Sequence, residues 1–116
     1  MESDTRPIGW IRAARREYEK FPIAVQDRVG AALTIAAEGG KADIAKPMKG
    51  LGQGVLEIAV RYRTDAWRVV YVNEVAGRLW VVHAFQKKSK TGIGTPKAEI
   101  DLVKVRLARL KKELSS

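Results

Sequence analysis

Arg61, Arg68, Lys87 and Lys88, with His83 among them, are the residues of this chain best equipped for chemistry, and all lie in one aromatic-rich run from residue 55 to residue 90. An arginine fork can hold two oxygens of a phosphate at once and stays charged at any physiological pH. A lysine clamps phosphate as a point charge, and crowding by other cations lowers its pKa until it can pass a proton. Histidine, with an ordinary pKa of about 6.5, suits general acid or base work. This set lacks a strong nucleophile, so it fits a polyanion that carries its own. RNA does: the ribose 2′-hydroxyl attacks the adjacent phosphate once the strand is bent into line and the growing charge is neutralised. Lys46, Lys49, Arg63 and Lys90 add cations for flanking phosphates.

Other chemistries are excluded by what is missing. There is no cysteine, one histidine, no HExxH, no GxSxG and no paired-carboxylate motif, which removes thiol, zinc-hydrolase and serine-hydrolase readings. The GLGQG run at residues 50–54 is not followed by the lysine and Ser/Thr of a phosphate-binding loop. No metal or cofactor is expected. Each cation also has a plainer role. Arg68 sits in mid-strand and needs a partner or water, for which Glu57 or Asp65 would serve. Arg61 and Arg63 could discourage strand pairing at an edge, and Lys87–Lys88 could be a solvated run. His83, placed by simple alternation on the face of Val81 and Phe85, could be a satisfied core histidine. Trp67, Trp80 and Tyr71 read as core, and Tyr62 as core or stacking platform.

The elements that must position these groups follow from periodicity. Alternation puts Leu56, Ile58, Val60 and Tyr62 on one face of a strand and Glu57, Ala59, Arg61 and Arg63 on the other. In the next strand Trp67, Val69 and Tyr71 oppose Arg68, Val70 and Val72. Residues 78–86 are apolar on both faces, which predicts a central strand covered on each side. Thr64-Asp65 and the run 74–77 supply turns, Ala76-Gly77 accommodating positive φ. The result is a three-strand antiparallel meander. PIGWIR at 7–12 reads as a short first strand weakened by Gly9. A helix over 13–20 is broken by Phe21-Pro22, and a second carries Val25, Val29, Leu33 and Ala36 at helical spacing up to Gly39-Gly40. Residues 41–54 read as a loop. Thr95-Pro96 reads as the cap and first position of a last helix with Ile100, Val103, Leu107, Leu110 and Leu114 on its apolar stripe.

The expected class is therefore α+β, a small antiparallel sheet with two N-terminal helices and one C-terminal helix. The 116 residues are read as a single domain with residues 1–6 loose. The net charge of +9 is uneven: residues 55–116 carry thirteen Lys/Arg against six Asp/Glu. Such an excess predicts an anionic partner, nucleic acid or an acidic protein, its alternative being a solvated surface. No run approaches the length of a membrane span and the start has no signal-peptide layout, so a soluble cytoplasmic protein with no membrane partner is expected.

The order strand, two helices, three strands and helix, together with KPMKGLGQGVLEIAVRYR, DAWRVVYV and WVVHAFQKKSKTGIGTP, resembles the RelE/HigB superfamily of bacterial toxins and, within it, the phage-derived host-killer branch. The likeness runs from about Pro7 through the rest of the chain. It rests on the combined E-I-x-x-R, W-R-V-x-Y and H-A-F-x-K-K patterns. It implies a toxin of a toxin-antitoxin pair, an endoribonuclease that cleaves mRNA in the ribosomal A site. It also implies a helix-turn-helix antitoxin as partner in a hetero-oligomer. By position Arg61, Arg68 and Lys88 match the family's basic sites on and just past the sheet, while the stacking aromatic of several relatives has no counterpart in SKTGIGTP. A same-fold toxin that inhibits gyrase, as in the related ParE branch, and a silent nucleic-acid-binding phage protein are the alternatives.

Overall fold

The computed structural model describes residues 5–88 and 94–115. In chain order it contains β1 (Ile8–Trp10), α1 (Arg12–Tyr18), α2 (Ile23–Ala37), β2 (Ala45–Pro47), β3 (Val55–Tyr62), β4 (Asp65–Val75), β5 (Arg78–Lys87) and α3 (Lys97–Leu114). Pro22 supplies the N-cap position of α2 and Pro96 that of α3, in keeping with a residue that starts helices without needing a donor. Both two-residue hairpin turns rely on left-handed backbone. Arg63 has φ 59° between β3 and β4, and Ala76 and Gly77 have φ 53° and 81° between β4 and β5. The first turn is Arg63-Thr64, because Tyr62 pairs with Asp65.

The five strands form one sheet in the order β1-β5-β4-β3-β2. Three expectations change here. The sheet is mixed, since β1 runs parallel to β5. A fifth strand, β2, lies inside the stretch read as a loop and pairs antiparallel with β3; its Ala45-Lys46-Pro47 sequence has no period to announce it. Arg6 is not loose: its amide donates to Ala37 O at 2.9 Å and its guanidinium to Ala36 O at 3.3 Å, which ties the chain to the end of α2. Residues 1–4 lie outside the described residues.

The sheet separates two apolar clusters. On one face α1 and α2 cover Leu56, Ile58, Val60, Val69, Tyr71, Leu79, Val81 and Ala84, and the α2 stripe Val25, Val29, Leu33 and Ala36 is buried there as its spacing predicts. On the other, α3 sets Val103, Leu107 and Leu110 on Val55, Val70, Val72 and Val82. Among the described residues no helix is long and apolar enough to cross a membrane.

One irregularity decides which side chains face α3. The β4–β5 register passes from Val70↔His83 to Tyr71↔Val81, leaving Val82 as an extra residue. This bulge rotates the rest of β5 by one position. His83 therefore joins Val70 and Val82 on the α3 face and leaves the face of Val81, where unbroken alternation had placed it.

Gly9 is required, not merely tolerated. A Cβ at this position would lie 2.7 Å from Cε3 of Trp80, whose indole is held by a 3.2 Å bond from Nε1 to Val75 O. Gly9→Ala is expected to lower stability by about 1–3 kcal/mol, the usual cost of overpacking. Urea unfolding measures the loss, and faster amide exchange at Leu79, which donates to Pro7 O, would report release of β1.

Candidate functional site

The strand register assembles the site in three cross-strand rows on the α3 face: Glu57, Val70 and His83; Ala59, Arg68 and Phe85; Arg61, Ala66 and Lys87. Arg61, Arg68 and Lys87 thus share one surface, brought together from three strands. Arg61 and Lys87 stand two strands apart, about 10 Å between Cα atoms from the usual strand spacing, with the small Ala66 between them. Two long cationic side chains at that separation can converge on one phosphate.

Arg68 does not stand alone. Its Nη1 donates to Glu57 Oε1 at 3.2 Å and to Thr95 Oγ1 at 3.2 Å, with both charged side chains nearly buried. Thr95 Oγ1 lies 3.0 and 2.9 Å from the two carboxylate oxygens of Glu57. The hydroxyl has therefore left the capping role that Thr95-Pro96 suggests, and α3 begins without a side-chain cap. A half-buried ion pair in mid-sheet needs every oxygen satisfied, and Thr95 completes it. Glu57 and Thr95 were not singled out as site residues from sequence. For Glu57 the signal was present, since it lies on the Arg61 face and was one of two candidate partners for Arg68.

Lys87 is 7% exposed, and its ammonium is pushed below the ordinary lysine range, first by burial and then by Arg68 and Arg61, against an opposing pull from Glu57. Lys88 points elsewhere: it is exposed and meets Asp65 Oδ2 at 3.8 Å, so the structure does not bring the two lysines to one site. Lys46 lies across from Glu57 on β2, and with Lys49, Arg68 and Thr95 it lines a cleft of about 310 Å³. Arg63 sits in the β3–β4 turn with its guanidinium 5.3 Å from the Tyr62 ring centre, away from that cleft. Lys90 lies outside the described residues. Arg61, Lys46, Lys49 and Lys87 make no ion pair or side-chain hydrogen bond among the described residues.

His83 is 4% exposed and fully engaged. Arg106 Nη1 donates to its Nδ1 at 2.9 Å, which leaves the proton on Nε2 to donate to Glu99 Oε1 at 2.6 Å. The ring also stacks on Phe85 at 5.1 Å. Burial, the largest influence, holds its pKa below the usual histidine value; Glu99 opposes this and Arg106 reinforces it. With Arg106 also donating to Val82 O at 3.0 Å, the cluster pins α3 to the bulge in β5. Both ring nitrogens of His83 are thus engaged, one by Arg106 and one by Glu99.

A family model described as "Phage derived protein Gp49-like (DUF891)" matches residues 16–108. No curated protein matches the sequence. Among solved structures, a chain of the toxin-antitoxin complex RelBE2 from Mycobacterium tuberculosis superposes with a TM-score of 0.51 at 13% identity, covering 77% of this chain and 98% of that one. At that identity the likeness is one of fold.

Two outcomes are expected from these contacts. Arg68→Ala leaves the Glu57 carboxylate without its counter-ion, so the variant should lose roughly 2–3 kcal/mol, less than a fully buried pair would. Arg68→Met with Glu57→Gln should recover part of that in urea unfolding. For His83, the depressed folded pKa means that the unfolded chain binds more protons below its own value of about 6.5. Stability contributed by the neutral ring is then complete above that pH and falls as pH drops through it toward the folded pKa. One proton limits the slope to about 1.4 kcal/mol per pH unit. Thermal melts between pH 7 and pH 5 should show this decline, and His83→Gln should flatten it.

Proposed function

The chain belongs to the phage-derived Gp49-like family, and from that premise we propose that it is the toxin of a toxin-antitoxin pair and an endoribonuclease acting on mRNA. The observation that carries the reading is the set of cations that make no ion pair among the described residues, Arg61 and Lys87 flanking Ala66 on one sheet face and Lys46 and Lys49 in the adjoining cleft. The likeness in fold to a chain of a toxin-antitoxin complex supports the pairing with an antitoxin.

In this mechanism the scissile phosphate lies over Ala59 and Ala66, whose small side chains leave room for it. Arg61 and Arg68 neutralise its non-bridging oxygens as negative charge grows. The 2′-oxygen forms a bond to phosphorus and gives up its proton, while the bond to the 5′-oxygen breaks and that oxygen takes a proton from Lys87. The products are a 2′,3′-cyclic phosphate and a 5′-hydroxyl. A lysine with a lowered pKa is a better proton donor than an ordinary one. The carboxylate on this face, Glu57, is occupied by Arg68 and Thr95, and His83 by Glu99 and Arg106. A base and a strand geometry supplied by the ribosome would complete the site, which favours ribosome-bound mRNA as substrate.

The test is to map mRNA 5′ ends in a purified translation system, with and without ribosomes. Wild type should create new 5′-hydroxyl ends. Lys87→Met should reduce them by about 100-fold or more and Arg61→Ala by about tenfold, as for a lost proton donor and a lost charge contact. With Lys87 as acid, the rate should fall on the alkaline side at a pH below the ordinary lysine value, and Lys87→Arg should remove that limb. Full cleavage by folded Lys87→Met would overturn the assignment; no cleavage by wild type would move the reading to a non-cleaving toxin directed at a protein such as gyrase.

A further inference from the structure

Lys87 differs from the other lysines of the chain. Every other described lysine is exposed, whereas Lys87 is 7% exposed. Lys20, Lys88 and Lys97 meet Glu17, Asp65 and Asp101, and Lys41 donates to carbonyls of its own loop. Lys87 has no such partner among the described residues. The charges it feels are the cations Arg68 and Arg61 against Glu57, a carboxylate that Arg68 already pairs. Burial first, and then the two like charges, weaken its hold on its proton, so more of it stands as free amine than of an exposed lysine at the same pH. A free amine is a nucleophile.

What such an amine attacks is set by its neighbours. Arg61 and Arg68 stand on the same face, and Ala59 and Ala66 beside them project only methyl groups, Ala59 and Arg61 being exposed. A phosphate seated over these alanines is flanked by Lys87 on β5. In an acyl phosphate the electrophilic carbon is one oxygen removed from phosphorus. The contacts that hold the anion therefore bring the carbonyl to the amine. A neutral acylating agent gains nothing from the arginines and meets the exposed lysines first.

We propose that Lys87 is a modification site that takes the acyl group of a small acyl phosphate without a transferase, the phosphate being held by Arg61 and Arg68. The amine nitrogen forms a bond to the carbonyl carbon, and the bond from that carbon to the phosphate oxygen breaks. Phosphate leaves with the electron pair and takes the proton that the nitrogen gives up. The product is a neutral amide that no longer repels Arg61 and Arg68 and has no acidic proton to donate. Acylation would thus silence the chain as a nuclease. That consequence rests on the proposed function; the transfer itself does not.

The probe is acetyl phosphate added to the purified full chain, with acetic anhydride as the acylating agent that carries no phosphate. Peptide mass spectrometry reads the acetylation of each lysine. Acetyl phosphate should modify Lys87 about tenfold or more faster than the exposed Lys88 and Lys104, inorganic phosphate should protect it, and acetic anhydride should reverse the order. Arg61→Ala should slow the reaction at Lys87 by about tenfold, the worth of one charged contact. Arg12→Ala, which removes the same charge from α1, should leave the rate unchanged. Reaction at Lys87 no faster than at Lys88 and Lys104, or a rate indifferent to Arg61 and to inorganic phosphate, would overturn the proposal. The acetylated chain then enters the mRNA 5′-end assay. Cleavage lost in proportion to acetylation of Lys87 would support both readings; undiminished cleavage would overturn the role of Lys87 in the nuclease and leave the acyl transfer standing.

Discussion

The extra residue in β5 governs what faces what. Side chains alternate strictly along a strand, so one inserted residue exchanges the faces of everything beyond it. Because Val82 is left out of the pairing, His83, Phe85 and Lys87 turn toward α3 while Ala84 remains with the α1–α2 core. Without that insertion Lys87 would lie on the opposite face from Arg61 and Arg68, and the imidazole would be driven into an apolar layer with no partner. The bulge is in turn held by what it displaces: Arg106 bonds the carbonyl of Val82 and the ring of His83 together. A local irregularity and the seat of α3 stabilise each other.

A second constraint is the arginine in mid-sheet. A charge nearly removed from water at Arg68 is tolerable only with a counter-charge and hydrogen-bond partners. Glu57 provides the counter-charge, and Thr95 adds an acceptor for the guanidinium and a donor for the carboxylate. Since Thr95 immediately precedes the helix, the position where α3 starts is fixed from the sheet, not by the helix's own capping rules. The ion pair links β3, β4 and the approach to α3 at the boundary between the covered and uncovered parts of the face.

How far the sequence discloses this depends on the range of the interaction. Alternation separates Glu57 and Arg61 from Leu56 and Val60, and Arg68 from Trp67, because those patterns are local. The helical stripes from Val25 to Ala36 and from Ile100 to Leu114 are legible for the same reason. The bulge is not, since Val81 and Val82 are both apolar and either phase of alternation fits. The partners of His83 lie 16 and 23 residues further on, in a helix whose rotation is set by the tertiary packing. β2 is too short and too mixed to show a period, and the parallel pairing of β1 with β5 joins residues as distant in sequence as Ile8 and Leu79. Thr95 is the instructive case, a good local capping signal overridden by a carboxylate 38 residues earlier.

Sorting the cations by what they already touch separates fold from ligand. Arg6 and Arg106 are committed to carbonyls or an imidazole, and their charge is spent on holding elements together, while Arg68 is paired with Glu57 and also lines the cleft. Arg61, Lys46, Lys49 and Lys87 make no ion pair among the described residues; Lys46 and Lys49 stand exposed in the cleft, and Arg61 and Lys87 share the sheet face that carries Arg68. Such clustering costs self-repulsion, felt most at Lys87, whose hold on its proton is weakened by its neighbours as well as by burial. A fold need not accept that cost on one face when solvent is open on others. An incoming polyanion would relieve it, and relief that comes only with the ligand is what distinguishes a binding face from a merely solvated one.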